Sequence, residues 1–223
     1  MKIIDNKFFI FDGQSGLIKT LADEVLNLAD KAIFENDRFD IVLTGGKSIL
    51  GFYKTLSLSD SNWKKWHIYI SDERYLPNNH KDRNDRVIND LWLNNEKIPR
   101  KNIHFFDFKS GVVHSIKTYE HHLKKINKFS LVLLSVGDDG HVASLFPGHS
   151  HRKGVEIIVE KNSPKYPKKR VSMSYDLMNK SSFVFKIIIG SEKKVVSNML
   201  TRGFDLPASK VNGDSDKVFI CVQ

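Results

Sequence analysis

Apolar residues fall along this chain in blocks of two kinds, short continuous runs and longer stretches with helical spacing. Phe8-Phe9-Ile10-Phe11 predicts a strand closed by Asp12-Gly13. Ser15 then stands where a helix cap would, ahead of Leu17, Leu21, Val25, Leu28 and Ala32 at helical intervals. Asp40 to Thr44 predicts the next strand, ended by Gly45-Gly46, and Ser48 to Leu58 a helix. Trp66 to Ile70 reads as a third strand, followed by a polar loop over 72–83 and a helix over 84–95. Ile103 to Phe106 predicts a strand, 113–128 a helix and 130–136 a strand. Further strands are expected at 156–159, 170–173, 183–189 and 218–222. A helix over 191–200 is expected to start on Ser191, with Glu192 in its first turn.

Alternation of strand and helix predicts an α/β fold with a mixed, mostly parallel sheet and helices on both faces. Back-to-back strands between residues 155 and 190 imply some antiparallel pairing. The chain lacks repeats, low-complexity tracts and dividing linkers, so residues 1–223 are expected to form a single domain. The irregular stretch 147–169 is expected to lie as a loop over the site.

Composition narrows the picture. Hydrophobic residues make up 40% of the 223, enough for a sizeable core, and 35 Lys and Arg against 26 Asp and Glu give a formal charge of +9. Such a balance suits nucleic acid, an anionic membrane surface or an anionic small substrate. The basic residues are scattered, however. Their densest cluster, 165–170 beside Pro164 and Pro167, reads as a solvated loop rather than a binding patch. No helix-turn-helix, zinc or RNA-binding signature supports a nucleic-acid partner. No apolar run approaches the roughly 20 residues that span a bilayer. One cysteine, Cys221, excludes an internal disulfide and suits a reducing compartment. With an N-terminus that lacks signal-peptide architecture, this predicts a cytoplasmic protein.

Three strand-end loops carry candidate chemistry. Thr44-Gly45-Gly46-Lys47-Ser48 can cradle phosphate or carboxylate on backbone N–H groups and a helix N-terminus, or be a plain turn with Ser48 as cap. It lacks the spacer of a Walker A loop. Ser71-Asp72-Glu73-Arg74 can be an exposed charged turn, or can aim Arg74 at an anion or oxyanion, with Asp72 orienting Arg74 or a histidine. Asp138-Asp139-Gly140-His141 places an imidazole at a strand end, where it can take a proton from water while a carboxylate two residues away fixes its tautomer. His149 and His151 lie close to His141 in sequence, but their spacing matches no metal-ligand pattern.

Taken together, the loops resemble the 6-phosphogluconolactonase family. That family carries a Gly-Gly turn, an Asp-Glu-Arg strand end followed by a Ser-Asn pair, and Gly-x-Asp-Gly-His-Thr-Ala-Ser-Leu-Phe-Pro-Gly. Here these read Gly45-Gly46-Lys47-Ser48, Asp72-Glu73-Arg74 with Arg83-Asn84, and Gly137 to Gly148. Weaker echoes follow at Arg170-Val171-Ser172-Met173, Gly190-Ser191-Glu192-Lys193 and Leu206-Pro207-Ala208-Ser209, so the likeness covers about residues 15–209. Departures are Lys47 for Ser, Arg83 for Ser, Ser135 for Gly and Val142 for Thr. Lys47 and Arg83 are expected to add positive charge near a phosphate, or to mark a shifted substrate preference.

The resemblance implies a Rossmann-like α/β fold with a mixed, mostly parallel sheet, and hydrolysis of 6-phospho-D-glucono-1,5-lactone to 6-phosphogluconate in the oxidative pentose phosphate pathway. It implies a small-molecule sugar phosphate lactone as partner and no cofactor or metal. His141 falls on the family's base, with Asp139, Asp72 and Arg74 around it. Substrate-binding positions fall on Gly45, Gly46, Lys47, Ser48, Asn84, Arg170 and Lys193. Ser144 lacks the Gly-x-Ser-x-Gly elbow of a nucleophile. Glucosamine-6-phosphate deaminases share the Asp-Gly-His core, but their loop supplies a Glu where this chain reads Ala143-Ser144-Leu145-Phe146-Pro147. A deaminase or isomerase, or a non-catalytic sugar-phosphate-binding regulator, are the competing expectations.

Overall fold

A computed structural model describes residues 1–223. Its strands are β1 Lys2–Ile4, β2 Phe8–Ile10, β3 Phe39–Leu43, β4 Trp66–Ile70, β5 Asp72–Arg74, β6 Phe129–Ser135, β7 Ile157–Glu160, β8 Arg170–Met173, β9 Ser181–Ile189 and β10 Ser215–Cys221. The α-helices are α1 Gln14–Asn36, α2 Leu50–Leu58, α3 Asn84–Leu91, α4 Val112–Leu123, α5 Tyr175–Met178 and α6 Lys194–Thr201. Seven strands form one sheet in the order β1-β2-β10-β9-β6-β3-β4. All neighbours in it are parallel except β1 on β2. The antiparallel pairing expected near 155–190 occurs in a separate sheet, β5-β8-β7.

Register explains why the central strands are apolar throughout. Phe39 faces Trp66 across β3 and β4, and Trp66 packs edge-on to Trp92, which stacks on Tyr53 of α2. One residue out of phase, Tyr69 points the other way and meets Tyr119 of α4. Helices therefore cover both faces, and strands buried on both faces read as continuous apolar runs rather than alternating ones.

Chain order along the sheet reverses between β3 and β6. From β3 the chain steps outward to β4, then returns to β6 and continues to β9 and β10. This is a topological switch point, where the loops after the two strands part and leave a crevice at their carboxyl ends. The small sheet is fastened beside that crevice: Ser71 N donates to Leu43 O at 2.8 Å and Met173 N to Ser71 O at 2.7 Å.

Some local expectations are corrected. Ile103 to Phe106 forms no strand; a single bridge joins Ile103 to Ile68 before the chain turns away. Phe106 then stacks on Tyr119 at 4.0 Å and its carbonyl accepts from Arg83, so packing overrides strand extension. Ser15, Ser48 and Ser191 cap nothing: the helical segments begin after Gly13, Gly46 and Gly190 without a side-chain cap. Lys47–Ile49 and Ser191–Lys193 are 3₁₀ turns that lead into α2 and α6. Helix α4 stops at Leu123, short of the expected 128. No helix is long and apolar enough to cross a membrane.

Candidate active site

A cavity of about 790 Å³ opens at the carboxyl ends of β3, β4, β6 and β9. All three loops singled out in the sequence reach it, with Gly45, Gly46, Lys47, Ser48, Asp72, Arg74, Asn84, His141, Arg170 and Lys193 in its walls. Asp139 stands behind His141 rather than in the wall.

The Gly-Gly turn is built by close approach. A Cβ at Gly45 would overlap the side-chain amide of Asn84, which is itself buried and donates to Asp72 O at 3.0 Å. Gly46 has φ of 106°, which favours glycine. The turn leads into Lys47–Ile49, so the site has unpaired N–H groups and the positive end of a helix. Ser48 Oγ lies 3.1 Å from Ser135 Oγ and accepts from Lys193 Nζ at 3.3 Å. Burial pushes the Lys193 ammonium below its usual range, although Glu192 and Asp138 oppose this. A poorly solvated ammonium beside N–H donors is chemically suited to an anion.

The imidazole is held by one tight turn. Gly137 N donates to His141 O at 2.9 Å, and Gly140 N to Gly137 O at 3.1 Å. Nδ1 of His141 contacts the Asp139 carboxylate, which also accepts the His141 N–H at 3.1 Å. Burial would raise the Asp139 carboxyl, but the His141 bonds outweigh it and hold the group well below the usual range. An ionised Asp139 accepts the Nδ1 proton and leaves the Nε2 lone pair free. Phe146 lies against the ring at 4.8 Å between centroids, and the segment at Leu206 buttresses the turn, with Ala208 N donating to Gly140 O.

Other groups differ from expectation. Asp72 orients neither Arg74 nor a histidine; it accepts from Ser144 Oγ at 2.6 Å and weakly from Asn84. That bond holds Ser144, fully buried, inside the structure. The charged turn is not exposed: Glu73 is fully buried and accepts from Arg74, Asn84 and Asp85 N–H groups, fastening the start of α3. Arg74 donates Nη1 to Asp82 O at 2.6 Å, while its buried Nε has no partner.

Arg83 adds no charge to the cavity. It is fully buried, pairs with Asp85 and lies 3.9 Å from Glu73. Arg170 directs three bonds of 3.2 Å to the carbonyls of Lys165, Tyr166 and Pro167. The 165–170 cluster is thus only partly solvated, since Lys165 and Tyr166 also enter the wall. In sequence 165–170 reads as a solvated loop, because a polar Pro-bracketed stretch carries no apolar period, and Gln14 at the start of α1, also in the wall, passes without notice.

Asp138, Asp139 and His141 bring ligand atoms within 4.8 Å of one another, a spacing that could hold a cation; Asp139 is engaged by His141 and Asp138 by Lys165. His149 joins Glu160 at 2.8 Å rather than His141.

A doubly wound sheet with a glycine turn beside a buried lysine and a carboxylate-held imidazole at its switch point has the make-up of an α/β enzyme. More narrowly, the chain belongs to the glucosamine-6-phosphate isomerase/6-phosphogluconolactonase family, whose model matches residues 12–220. It is 30% identical over 216 residues to a 6-phosphogluconolactonase of Thermotoga maritima, covering 96% of this chain and 97% of that one. It is also 30% identical to the chloroplastic 6-phosphogluconolactonase 3 of Arabidopsis thaliana, covering 94% and 71%. The crystal structure of the Thermotoga maritima 6-phosphogluconolactonase superposes with a TM-score of 0.88 at 28% identity over 96% and 98% of the two chains. That of Trypanosoma cruzi 6-phosphogluconolactonase gives 0.82 at 22% identity, a likeness of fold.

Proposed function

We propose that this chain hydrolyses 6-phospho-D-glucono-1,5-lactone to 6-phosphogluconate, the pentose phosphate pathway step, as one domain in the cytoplasm. The observation that carries the reading is His141 Nδ1 on Asp139 in a cavity whose other wall is the Gly45-Gly46 turn with Lys193. The phosphoryl group rests on that turn and is neutralised by Lys193, Lys47 and the helix end. This anchorage brings the lactone carbonyl to Nε2 of His141.

Nε2 takes a proton from water as its oxygen attacks the carbonyl carbon. Asp139 stabilises the resulting imidazolium. Arg74, whose guanidinium stands in the cavity wall, is the donor suited to the tetrahedral oxyanion. Collapse breaks the ring C–O bond, and His141 returns the proton to the departing ring oxygen. Ser144 is no nucleophile in this scheme, because its hydroxyl already donates to Asp72.

The test is a pH-stat or coupled assay on freshly generated phosphogluconolactone, with spontaneous hydrolysis subtracted and ammonia release from glucosamine 6-phosphate measured alongside. Lactone turnover without ammonia is expected; the reverse would make the chain a deaminase. Replacement His141→Ala should lower kcat by about 10²–10⁴ with the fold intact. Wild-type turnover in that variant would refute the base.

A further inference from the structure

The loop between β7 and β8 is fastened so that one of its charges faces the cavity. Arg170 holds the carbonyls of Lys165, Tyr166 and Pro167, and Ser163 Oγ both donates to Lys165 O and accepts from Lys165 N. This fixes Lys165 in the cavity wall, where its ammonium pairs with Asp138. The two side chains are 43% and 53% exposed, so the pair sits in a high dielectric and is readily exchanged. Lys193 responds to both partners: beyond burial, Asp138 raises its pKa and Lys165 lowers it. The three charges therefore share one field within the cavity. The mechanism above uses neither Lys165 nor Asp138.

We infer that Lys165 is a further substrate-binding residue that exchanges Asp138 for the phosphoryl group of the lactone, with Asp138 as the internal anion competing for it. The inference rests on the lactonase reading. A carboxylate offers one negative charge, whereas a phosphate ester offers nearly two and three acceptor oxygens. Lys165 gains from the exchange once the phosphoryl group lies on the Gly45-Gly46 turn. A sugar without that group cannot displace Asp138, so the pair discriminates by charge.

Steady-state kinetics of Lys165→Met, Asp138→Asn and the double variant test this, on phosphogluconolactone and unphosphorylated gluconolactone. Lys165→Met should raise KM for the phosphorylated lactone about tenfold, much more than for the unphosphorylated one, with Lys165→Arg restoring most of it. Asp138→Asn should lower KM for the phosphorylated lactone about two- to fivefold, and by less when Lys165 is already Met. Equal KM increases for both lactones in Lys165→Met, or an unchanged or raised KM in Asp138→Asn, would overturn the exchange. Calorimetric titration of the same folded proteins with 6-phosphogluconate separates two failures. Absence of wild-type lactone turnover counts against the lactonase reading, whereas 6-phosphogluconate binding indifferent to Lys165 counts against this inference.

Discussion

Replacing Gly137 by Ala perturbs the imidazole without removing any reactive group. Gly137 lies outside the left-handed region of backbone space, so alanine meets no backbone obstacle there. Its Cβ, however, would overlap Nδ1 and Cε1 of His141 and stand 2.9 Å from Asp139 Oδ1. The ring must retreat by about 1 Å or more, and a displacement of that size costs about 10²-fold in rate. Loss of the Asp139 contact adds to this, so kcat/KM should fall by about 10²–10³, within the span of base catalysis. Stability should change by only about 1 kcal/mol, because the ring can swing toward the cavity. The assay is kcat/KM for fresh phosphogluconolactone beside a thermal melt of the same preparation. Combined with His141→Ala, the alanine should cost almost nothing further, since both act on one group. A folded Gly137→Ala enzyme within about threefold of wild type would show that the imidazole position does not govern the rate.

Asp139→Asn should preserve the fold and lower kcat by about 10²–10⁴, with KM little moved, because the amide no longer selects the Nδ1–H tautomer; an equal rise in KM would place Asp139 in substrate binding instead. Arg83→Met should destabilise by about 3–5 kcal/mol in urea titration, since it leaves Glu73 buried and Asp85 unpaired. A loss below 1 kcal/mol would refute that structural role. His104, pressed against His122 and His67, is lowered from 6.5 to about 3, first by burial and then by those neighbours. The unfolded chain therefore binds the extra proton between pH 6.5 and 3, and stability falls as pH drops through that window. His104→Leu should remove about 2 kcal/mol of the loss between pH 7 and 5, read from urea midpoints, and an unchanged pH dependence would contradict it.

The central strands were legible because burial on two faces leaves an unbroken apolar run, as in Trp66 to Ile70 and 130–136. Strand β5 was not: Asp72-Glu73-Arg74 has no strand character of its own and takes that form only through pairing with β8. Ser48 looked like a cap, yet its hydroxyl turns to Ser135 and Lys193, a choice made by tertiary contacts. Arg83 looked like a free cation because its neutralisers, Asp85 and Glu73, come from a local pair and from a distant strand end. The Asp139–His141 pair was legible because a single residue, Gly140, separates its members. The Ser144 partner of Asp72 and the Asp138 partner of Lys165 lie more than 25 residues away in sequence and leave no local mark.

The turn from Gly137 to His141 closes on itself through two backbone bonds and its own carboxylate. Its geometry is therefore set largely within five consecutive residues, with the bond from Ala208 N to Gly140 O as outside support, before any ligand arrives. The opposite wall, from Gly45-Gly46 and Lys193, has no such autonomy, since it exists only while separate strand ends stay in register. Partial melting at the carboxyl end of β9 should accordingly disrupt the wall around Lys193 while the His141 turn keeps its shape, and amide exchange should report earlier opening near Lys193 than near Gly140.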